Sequence, residues 1–217
     1  GDAIVEAWRD IAMRWPILEW VKDPPGSFIT VDDITSTTIT IASAGEGVTC
    51  TLSAAPAASI AKRKIQPSGV EWYAIVTAHT AGALTCTLDV APAAIAAGTA
   101  CVIYQDEYDL ASDLGLFVDG LWYPNGTFVP LKSEEYIRAN YMPPSGNGFP
   151  SVFARIGQRR IRLSHYTNAV KRVEYSYSRV PDDPSGSSTL ALPPHWRPAL
   201  AELSFGVLLG MKLDKRE

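Results

Sequence analysis

Apolar residues recur at helical spacing near both ends of the chain. Near the N-terminus, steps of four, three, four and three residues connect Ile4, Trp8, Ile11, Trp15 and Leu18. A similar stripe follows Pro198 and ends near Met211. Each pattern predicts an amphipathic helix with one buried face, and we expect the two helices to pack on each other. The residues expected in this core or in a subunit contact are Trp8, Trp15, Trp20, Leu203 and Val207.

A different pattern covers residues 28–104. Short alternating runs rich in Thr, Val and Ile lie between Gly and Pro, which is typical of β-strands. Segments 49–58 and 85–94 match at eight of ten positions, 36 residues apart. Two copies are too few for a solenoid, so the repeat favours a small barrel or sandwich built from two similar hairpin units. Cys50 and Cys86 are interpreted first as small apolar strand residues, with a bond between them as the lesser alternative.

Residues 105–180 combine strands, turns and one short helix. Asn125-Gly126 is a two-residue hairpin signal, and Ser133 is placed to cap a helix over 133–141. The predicted fold class is therefore α+β. A helical domain formed by both chain ends, residues 1–27 and 105–217, carries an inserted antiparallel β-barrel or sandwich module at 28–104.

Composition and charge narrow the class of protein. Hydrophobic residues make up 47% and charged residues 19% of the chain, which indicates a folded globular protein. No apolar run reaches the roughly 18–20 residues of a membrane span, so we expect no membrane partner. The net charge of −4 argues against a general nucleic-acid binder. No secretory signal peptide is visible, and we expect synthesis in the cytoplasm.

Basic residues cluster in the second half of the chain. Residues 1–104 hold six Lys or Arg and ten Asp or Glu, whereas residues 105–217 hold thirteen of each. We interpret the cluster first as the solvated face of a sheet, and alternatively as a contact with acidic protein or passing nucleic acid. Its members are Arg155, Arg159, Arg160, Arg162, Lys171, Arg172 and Arg179.

Motifs that would carry catalysis or metal binding are missing from the sequence. His79, His165 and His195 have no partner at metal-ligand spacing, and neither a P-loop nor a G-x-S-x-G elbow occurs. The densest acidic group lies at 106–113. Acid–base pairs are normally assembled from separate elements around a cleft, so we interpret this group as a solvated loop. We expect neither an enzyme nor a cofactor.

Three segments, in this order, resemble the tail-adaptor (head-completion) proteins of tailed bacteriophages. The opening helix Ala7-Trp-Arg-Asp-Ile-Ala-Met-Arg-Trp-Pro16 is similar to the helix that precedes a Trp-containing turn in that family. Asp106-Glu-Tyr-Asp-Leu-Ala-Ser-Asp-Leu114 resembles the family's DEYxLPxDL passage, with Ala111 in place of the usual Pro. Gly148-Phe-Pro-Ser-Val-Phe-Ala-Arg-Ile-Gly157, which leads into Ile161-Arg-Leu163, resembles the family's G-x-P strand pair, which precedes a closing strand, loop and Leu-Pro helix. The usual Pro-rich turn after that pair is replaced by 164–168.

The resemblance covers roughly residues 1–27 and 105–217, and it implies a structural virion protein at the head–tail interface, made in the bacterial host cytoplasm. Such adaptors form rings, commonly of twelve copies, that extend the DNA channel. The implied partners are further copies in a closed ring, the portal protein, the tail tube or nozzle protein, and genomic DNA in non-specific proximity. Portal contact through the C-terminal end is implied for Lys212, Lys215, Arg216 and Glu217.

Two other functions stay open. A carbohydrate- or receptor-binding β protein of the virion predicts exposed aromatic side chains on one face of residues 28–104. A hydrolase predicts a site assembled from residues 106–113 and distant groups, so that a substitution of Asp109 would abolish turnover.

Overall fold

The computed structural model describes residues 25–141, 148–179, 198 and 201–206, with the backbone alone for 116–119, 178 and 179. Strands make up 45% and helices 10% of the described residues. The predicted α+β class, with a helical domain formed by both chain ends, is therefore wrong, and the protein is mostly β. The physical reason is that the described parts of 105–179 are mainly alternating segments, and these pair with one another as strands. The predicted helix over Ile4–Leu18 lies outside the described residues.

The strands follow one another along the chain with short connections. In chain order they are β1 (Gly26–Ile29), β2 (Thr38–Ile41), β3 (Gly45–Glu46), β4 (Thr49–Leu52), β5 (Lys64–Pro67), β6 (Ala74–His79), β7 (Thr85–Leu88), β8 (Val90–Ala91), β9 (Ile95–Tyr104), β10 (Glu107–Asp109), β11 (Leu114–Trp122), β12 (Phe128–Val129), β13 (Leu131–Lys132), β14 (Phe153–Arg155), β15 (Arg160–Leu163) and β16 (Arg172–Arg179). Helix α1 spans Glu134–Tyr141, and residues 201–206 are helical.

Six strands close into an antiparallel barrel in the order β2-β4-β7-β6-β5-β9. Alternate side chains point inward because successive residues of a strand face opposite sides. The barrel core contains Ile39, Ile41, Cys50, Leu52, Ile60, Ile65, Ala74, Val76, Cys86, Leu88, Cys101 and Ile103, all buried.

The sequence repeat corresponds to a pseudo-two-fold axis of the barrel. Strands β2, β4 and β5 match β6, β7 and β9 at the 36-residue offset, so each repeat contributes three strands rather than the predicted hairpin. Equivalent residues also meet across antiparallel strand pairs. Cys50 lies opposite Cys86, and Gln66 lies opposite Val102. Equivalent residues face each other in this way only where the local two-fold axis passes between them.

The remaining strands form three smaller sheets. One has the order β10-β15-β14-β13 and another has the order β1-β16-β11-β12. The pair β3-β8 continues the β4-β7 ladder beyond the barrel. Helix α1 packs on β14, where Ile137 joins Val152 and Ala154 in a small apolar cluster.

Two local predictions are confirmed. The Ser133 hydroxyl accepts a hydrogen bond from the Tyr136 N–H at 3.2 Å and caps α1. A hairpin also joins β11 to β12, although its loop is Pro124-Asn-Gly126 rather than two residues. Pro124 favours a type I turn at its position, and Gly126 follows with a φ of 83°, which is the usual three-residue loop with a glycine bulge.

The chain divides into two compact units. One contains Gly1–Gly26, Ala111–Asp119 and Tyr175–Glu217, and the other contains Ser27–Leu110 and Gly120–Glu174. The barrel and the β10-β15-β14-β13 sheet both belong to the second unit. The predicted boundaries 1–27, 28–104 and 105–217 stay a prediction.

Candidate functional site

Oppositely charged side chains from the barrel, the β10-β15-β14-β13 sheet and helix α1 meet in one place. We call this group the charge cluster. Its members are Lys62, Lys64, Asp106, Glu107, Asp109, Glu134, Arg160 and Arg162.

The innermost pair of the charge cluster joins strand β5 to the segment that leaves the barrel. Lys64 Nζ lies 2.8 Å from each carboxylate oxygen of Asp106 and 2.8 Å from Glu107 Oε1. The ammonium group also lies 4.7 Å from the centre of the Tyr73 ring. The Lys64 and Asp106 side chains are 3% and 1% exposed. Burial of charges at this depth is tolerated only when they are closely paired.

Arg162 of β15 links the same carboxylates to helix α1. Its Nη2 donates to Glu107 Oε1 at 2.7 Å and its Nη1 donates to Glu134 Oε1 at 3.1 Å. Its Nε lies 3.9 Å from Asp106, and the side chain is 9% exposed. One guanidinium group therefore holds β10 and the first turn of α1 against β15.

The outer part of the charge cluster is solvated. Asp109 accepts hydrogen bonds from Lys62 Nζ at 2.9 Å and from Arg160 Nε at 3.2 Å. The three side chains are between 53% and 75% exposed, and ion pairs of this kind contribute little to stability. A cavity of about 310 Å³ opens beside them and is lined in part by Lys62, Ile75, Thr77 and Arg160.

The protonation equilibria follow from burial and from these pairings. Burial raises the pKa of Asp106, and the opposing effect of Lys64 is smaller. Burial also acts to raise the pKa of Glu107, but hydrogen bonds and charges from Lys64 and Arg162 outweigh it and leave that pKa below its usual value. The Lys62 hydrogen bond, helped by Arg160, lowers the pKa of Asp109. Asp109 is therefore a weaker base than a free aspartate, which does not favour a general-base role.

The interpretation of residues 106–113 as a solvated loop is wrong for its first members, because Asp106 is buried and Glu107 is only 18% exposed. The partner of these carboxylates is Lys64 of β5, which the sequence does not distinguish from the adjacent Lys62 and Arg63. A buried lysine needs an acidic partner, and the nearest acidic group after the last barrel strand is Asp106-Glu107.

The basic stretch of the sequence does not form one free basic surface. Arg160 and Arg162 belong to the charge cluster, and Arg172 pairs with Glu174 at 2.9 Å. Arg155 donates to the Gln158 carbonyl at 2.9 Å, and Lys171 Nζ lies 3.2 Å from the centre of the Phe149 ring. Arg159 is exposed. A protein or DNA contact through these residues stays a prediction.

Most of the other singled-out residues lie outside the described part of the chain. Leu203 is half-buried in the helical stretch 201–206. The remaining predicted core, subunit-contact and portal-contact residues that are not described are Trp8, Trp15, Trp20, Val207, Lys212, Lys215, Arg216 and Glu217.

The described histidines have structural partners. His79 Nδ1 accepts from the Ile60 N–H at 3.3 Å, and its Nε2 lies 3.1 Å from the Ala83 carbonyl. His165 Nδ1 lies 3.0 Å from the Ser164 hydroxyl. Ser164 is fully buried and accepts hydrogen bonds from the Ser151 and Val152 N–H groups, so its hydroxyl is not placed to attack a substrate.

Metal-ligand clusters and membrane-spanning helices are both absent from the described residues. In that part of the chain, no group of three or more His, Cys, Asp or Glu side chains could hold a metal ion. Within the same residues, no helix has both the length and the apolar composition needed to cross a membrane. Comparison with known proteins identifies no relative, since no family model, no curated protein and no solved structure matches the chain.

Proposed function

We propose that this chain is a structural subunit of a tailed-phage virion, a ring-forming adaptor that joins the portal to the tail and extends the DNA channel. The observation that carries the proposal concerns the two described segments that resemble the adaptor family, 106–114 and 148–163. They are 34 residues apart at their closest ends, yet they pair in one sheet. Glu107 lies opposite Arg162, and Asp109 lies opposite Arg160. The pairing supports the proposal because the resemblance assigns both segments to the same part of the chain, residues 105–217.

The charge cluster suits a subunit that has to hold its shape under load. It connects the barrel, β10, β15 and α1 through buried ion pairs and places every one of its carboxylates beside a cation. Ion pairs that connect several elements restrict the movement of those elements relative to one another. In the proposed ring, the barrel is then a rigid docking module on a sheet that is shared with the adaptor-like segments.

Exposed apolar side chains outside the barrel are the proposed lateral contact between ring subunits. Trp122 and Phe128 pack on each other with ring centres 4.6 Å apart, and they are 38% and 43% exposed. Leu131 and Phe149 are also exposed. Exposed apolar side chains that lie next to each other, as Trp122 and Phe128 do, can form an interaction site, and a closed ring needs a head-to-tail contact between unlike surfaces.

The receptor-binding alternative is less well supported because it needs an aromatic platform on the barrel region. Residues 28–104 contain four aromatic side chains, of which Tyr104 is buried and Phe28, Trp72 and Tyr73 are half-buried. None is in the exposed class. The exposed large apolar side chains of this region are Ile29, Leu84 and Val90, which do not offer the flat faces on which sugars stack.

The deciding experiment is electron microscopy of the native assembly that contains this chain, reconstructed without imposed symmetry. We expect a ring of about twelve copies, coaxial with a portal. Isolated or trimeric copies on an outer fibre would overturn the proposal. Replacement of Trp122 and Phe128 by Ser in the assembled particle should weaken the ring, whereas Leu84→Ser on the barrel is the matched control and should leave it intact.

A further inference from the structure

Two cysteines face each other inside the barrel. Cys50 of β4 and Cys86 of β7 are direct partners in the antiparallel ladder, and they are 0% and 3% exposed. On the same ladder, the Leu52 N–H donates to the Leu84 carbonyl at 2.7 Å and the Leu88 N–H donates to the Val48 carbonyl at 2.9 Å. Hydrogen-bonded pairs alternate along such a ladder, so the Cys50–Cys86 pair is hydrogen-bonded as well.

This position brings the two α-carbons to disulfide distance. In hydrogen-bonded antiparallel pairs the Cα atoms are about 5.5 Å apart. Disulfides span Cα distances of roughly 4.4–6.8 Å. Both side chains point into the barrel, because both residues belong to its buried core. The Cα spacing therefore allows the bond. The two Cβ atoms have to approach each other slightly, because opposed Cβ atoms lie roughly 4.5–5.5 Å apart and a disulfide requires about 3.5–4.5 Å.

The third cysteine is held in a different way. The Cys101 thiol lies 3.6 Å from the Thr37 carbonyl oxygen, and burial raises its pKa to about 12. Cys50 and Cys86 interact with each other instead. A hydrogen bond between the two sulfurs lowers the pKa of Cys86 and raises that of Cys50. Of the three thiols, Cys86 is therefore the one most readily converted to the thiolate that attacks a disulfide.

A cavity lies on the outer face of the barrel wall beside this pair. A cavity of about 240 Å³ is lined by Thr49, His79, Thr85, Cys86 and Thr87, among others. His79 is the β6 partner of Cys86 in the neighbouring ladder. Both thiols lie on the other side of this wall, in the barrel core, so a small disulfide reaches them when the β4-β7 ladder opens locally.

We propose that Cys50 and Cys86 are a redox-active pair, which closes into an intramolecular disulfide when the protein meets a low-molecular-weight disulfide. In the first step the Cys86 thiolate attacks one sulfur of the small disulfide, forms a mixed disulfide and releases one small thiolate. In the second step the Cys50 thiol loses its proton and attacks Cys86 Sγ, which releases the second small thiolate. Overall, two protein thiols are oxidised and one small disulfide is reduced to two thiols.

The bond would join the two repeats at their pseudo-two-fold axis. It would tie residues 49–52 to 85–88, which are the most similar parts of the repeat. The inference does not depend on the proposed function. It means that the barrel is unlinked in a reducing compartment and covalently closed in an oxidising one.

The test uses the whole chain, folded, with 2-hydroxyethyl disulfide as the oxidant. After quenching with acid and alkylation in denaturant, we expect the number of free thiols to fall from three to one and the mass to show the loss of two hydrogens. Peptide mapping should join the peptides that contain Cys50 and Cys86. Cys101→Ala is the matched control, and its count should fall from two to zero.

Two results would overturn the proposal. In the first, the folded protein keeps three thiols under conditions that oxidise the denatured chain. In the second, peptide mapping of the oxidised wild-type protein finds a bond to Cys101 instead. Cys50→Ala and Cys86→Ala should form no internal disulfide, and the wild-type mapping decides the question even if either variant fails to fold.

Discussion

Lys64 Nζ lies 2.8 Å from both carboxylate oxygens of Asp106, and the two side chains are almost completely buried. Lys64 belongs to the barrel strand β5, whereas Asp106 stands two residues after the end of β9. The pair therefore fixes the point at which the chain leaves the barrel and enters the neighbouring sheet.

Removal of one member of this pair should destabilise the protein strongly. We expect Asp106→Asn to lower the free energy of unfolding by about 3–5 kcal/mol, because it leaves the buried Lys64 charge without its main partner. The measurement is urea denaturation followed by circular dichroism. Asp109→Asn is the matched control, and it should cost no more than about 1 kcal/mol because its ion pairs are exposed. Equal losses in the two variants would contradict this view of the charge cluster.

The double variant Lys64→Met with Asp106→Leu removes both charges at once, and it tests whether the two residues stabilise the protein as a pair. Since neither buried charge is then left alone, we expect it to be more stable than Asp106→Asn by roughly 1–4 kcal/mol. If the double variant loses as much as the two single variants together, Lys64 and Asp106 do not act as a pair.

Stability should depend on pH through Glu107. Its pKa in the folded protein is below the ordinary value of 4.5, so its ionised form is favoured by folding. This contribution is complete above the ordinary pKa and is lost as the pH falls through the lower, folded value. The difference in unfolding free energy between the wild type and Glu107→Gln should therefore be constant near neutral pH and shrink below about pH 4.5.

The contribution of Asp106 to stability should depend on pH in the opposite direction to that of Glu107. Burial raises its pKa, so protonation favours the folded state and its contribution to stability grows as the pH falls through the raised value. Asp106→Asn should remove this gain at acid pH. Chemical denaturation at several pH values measures both effects, and a Glu107→Gln difference that widens in acid would contradict the assignment.

Gly120 is a position where only hydrogen fits. A Cβ at this residue would overlap the Phe128 ring and lie 2.7 Å from the Val129 carbonyl oxygen. Gly120→Ala should therefore lower stability by about 1–3 kcal/mol. Gly148→Ala is the matched control, since its added Cβ meets nothing within 4 Å. Addition of Phe128→Ala to Gly120→Ala should recover part of the lost stability, because it removes the ring that the added Cβ overlaps. If no stability is recovered, the steric overlap lies with the Val129 carbonyl oxygen.

Oxidation of Cys50 and Cys86 should stabilise the barrel. The bond closes a loop of about 36 residues, and the loop-entropy model gives roughly 3–4 kcal/mol for a loop of that length. We expect the urea midpoint of the wild type to rise on oxidation and to return on reduction. Cys86→Ala should show no shift under the same treatment, and an unchanged wild-type midpoint after the disulfide has formed would contradict the expected stabilisation.

Much of the local structure could be predicted from the sequence. The alternating runs at 38–41, 49–52 and 85–88 are strands, and the Ser133 cap occurs as expected. A hairpin also turns at Asn125-Gly126, with a loop of three residues instead of two. These features depend on side-chain periodicity and on local hydrogen bonds. The repeat could be recognised from the side-chain pattern, but the number of strands in each copy could not. The three strands of each copy include β5 and β9, which share little sequence beyond their pattern.

The sequence by itself determined where strands form, where they turn, and that two related units build the β region. Only the tertiary structure decided that Lys64 meets Asp106, 42 residues later, and that Arg162 meets Glu107 across 55 residues. It also decided that the two equivalent cysteines face each other rather than lie on separate walls of the barrel. The physical reason is that strand order and register are set by barrel closure and by the packing of the whole core, which no local pattern encodes.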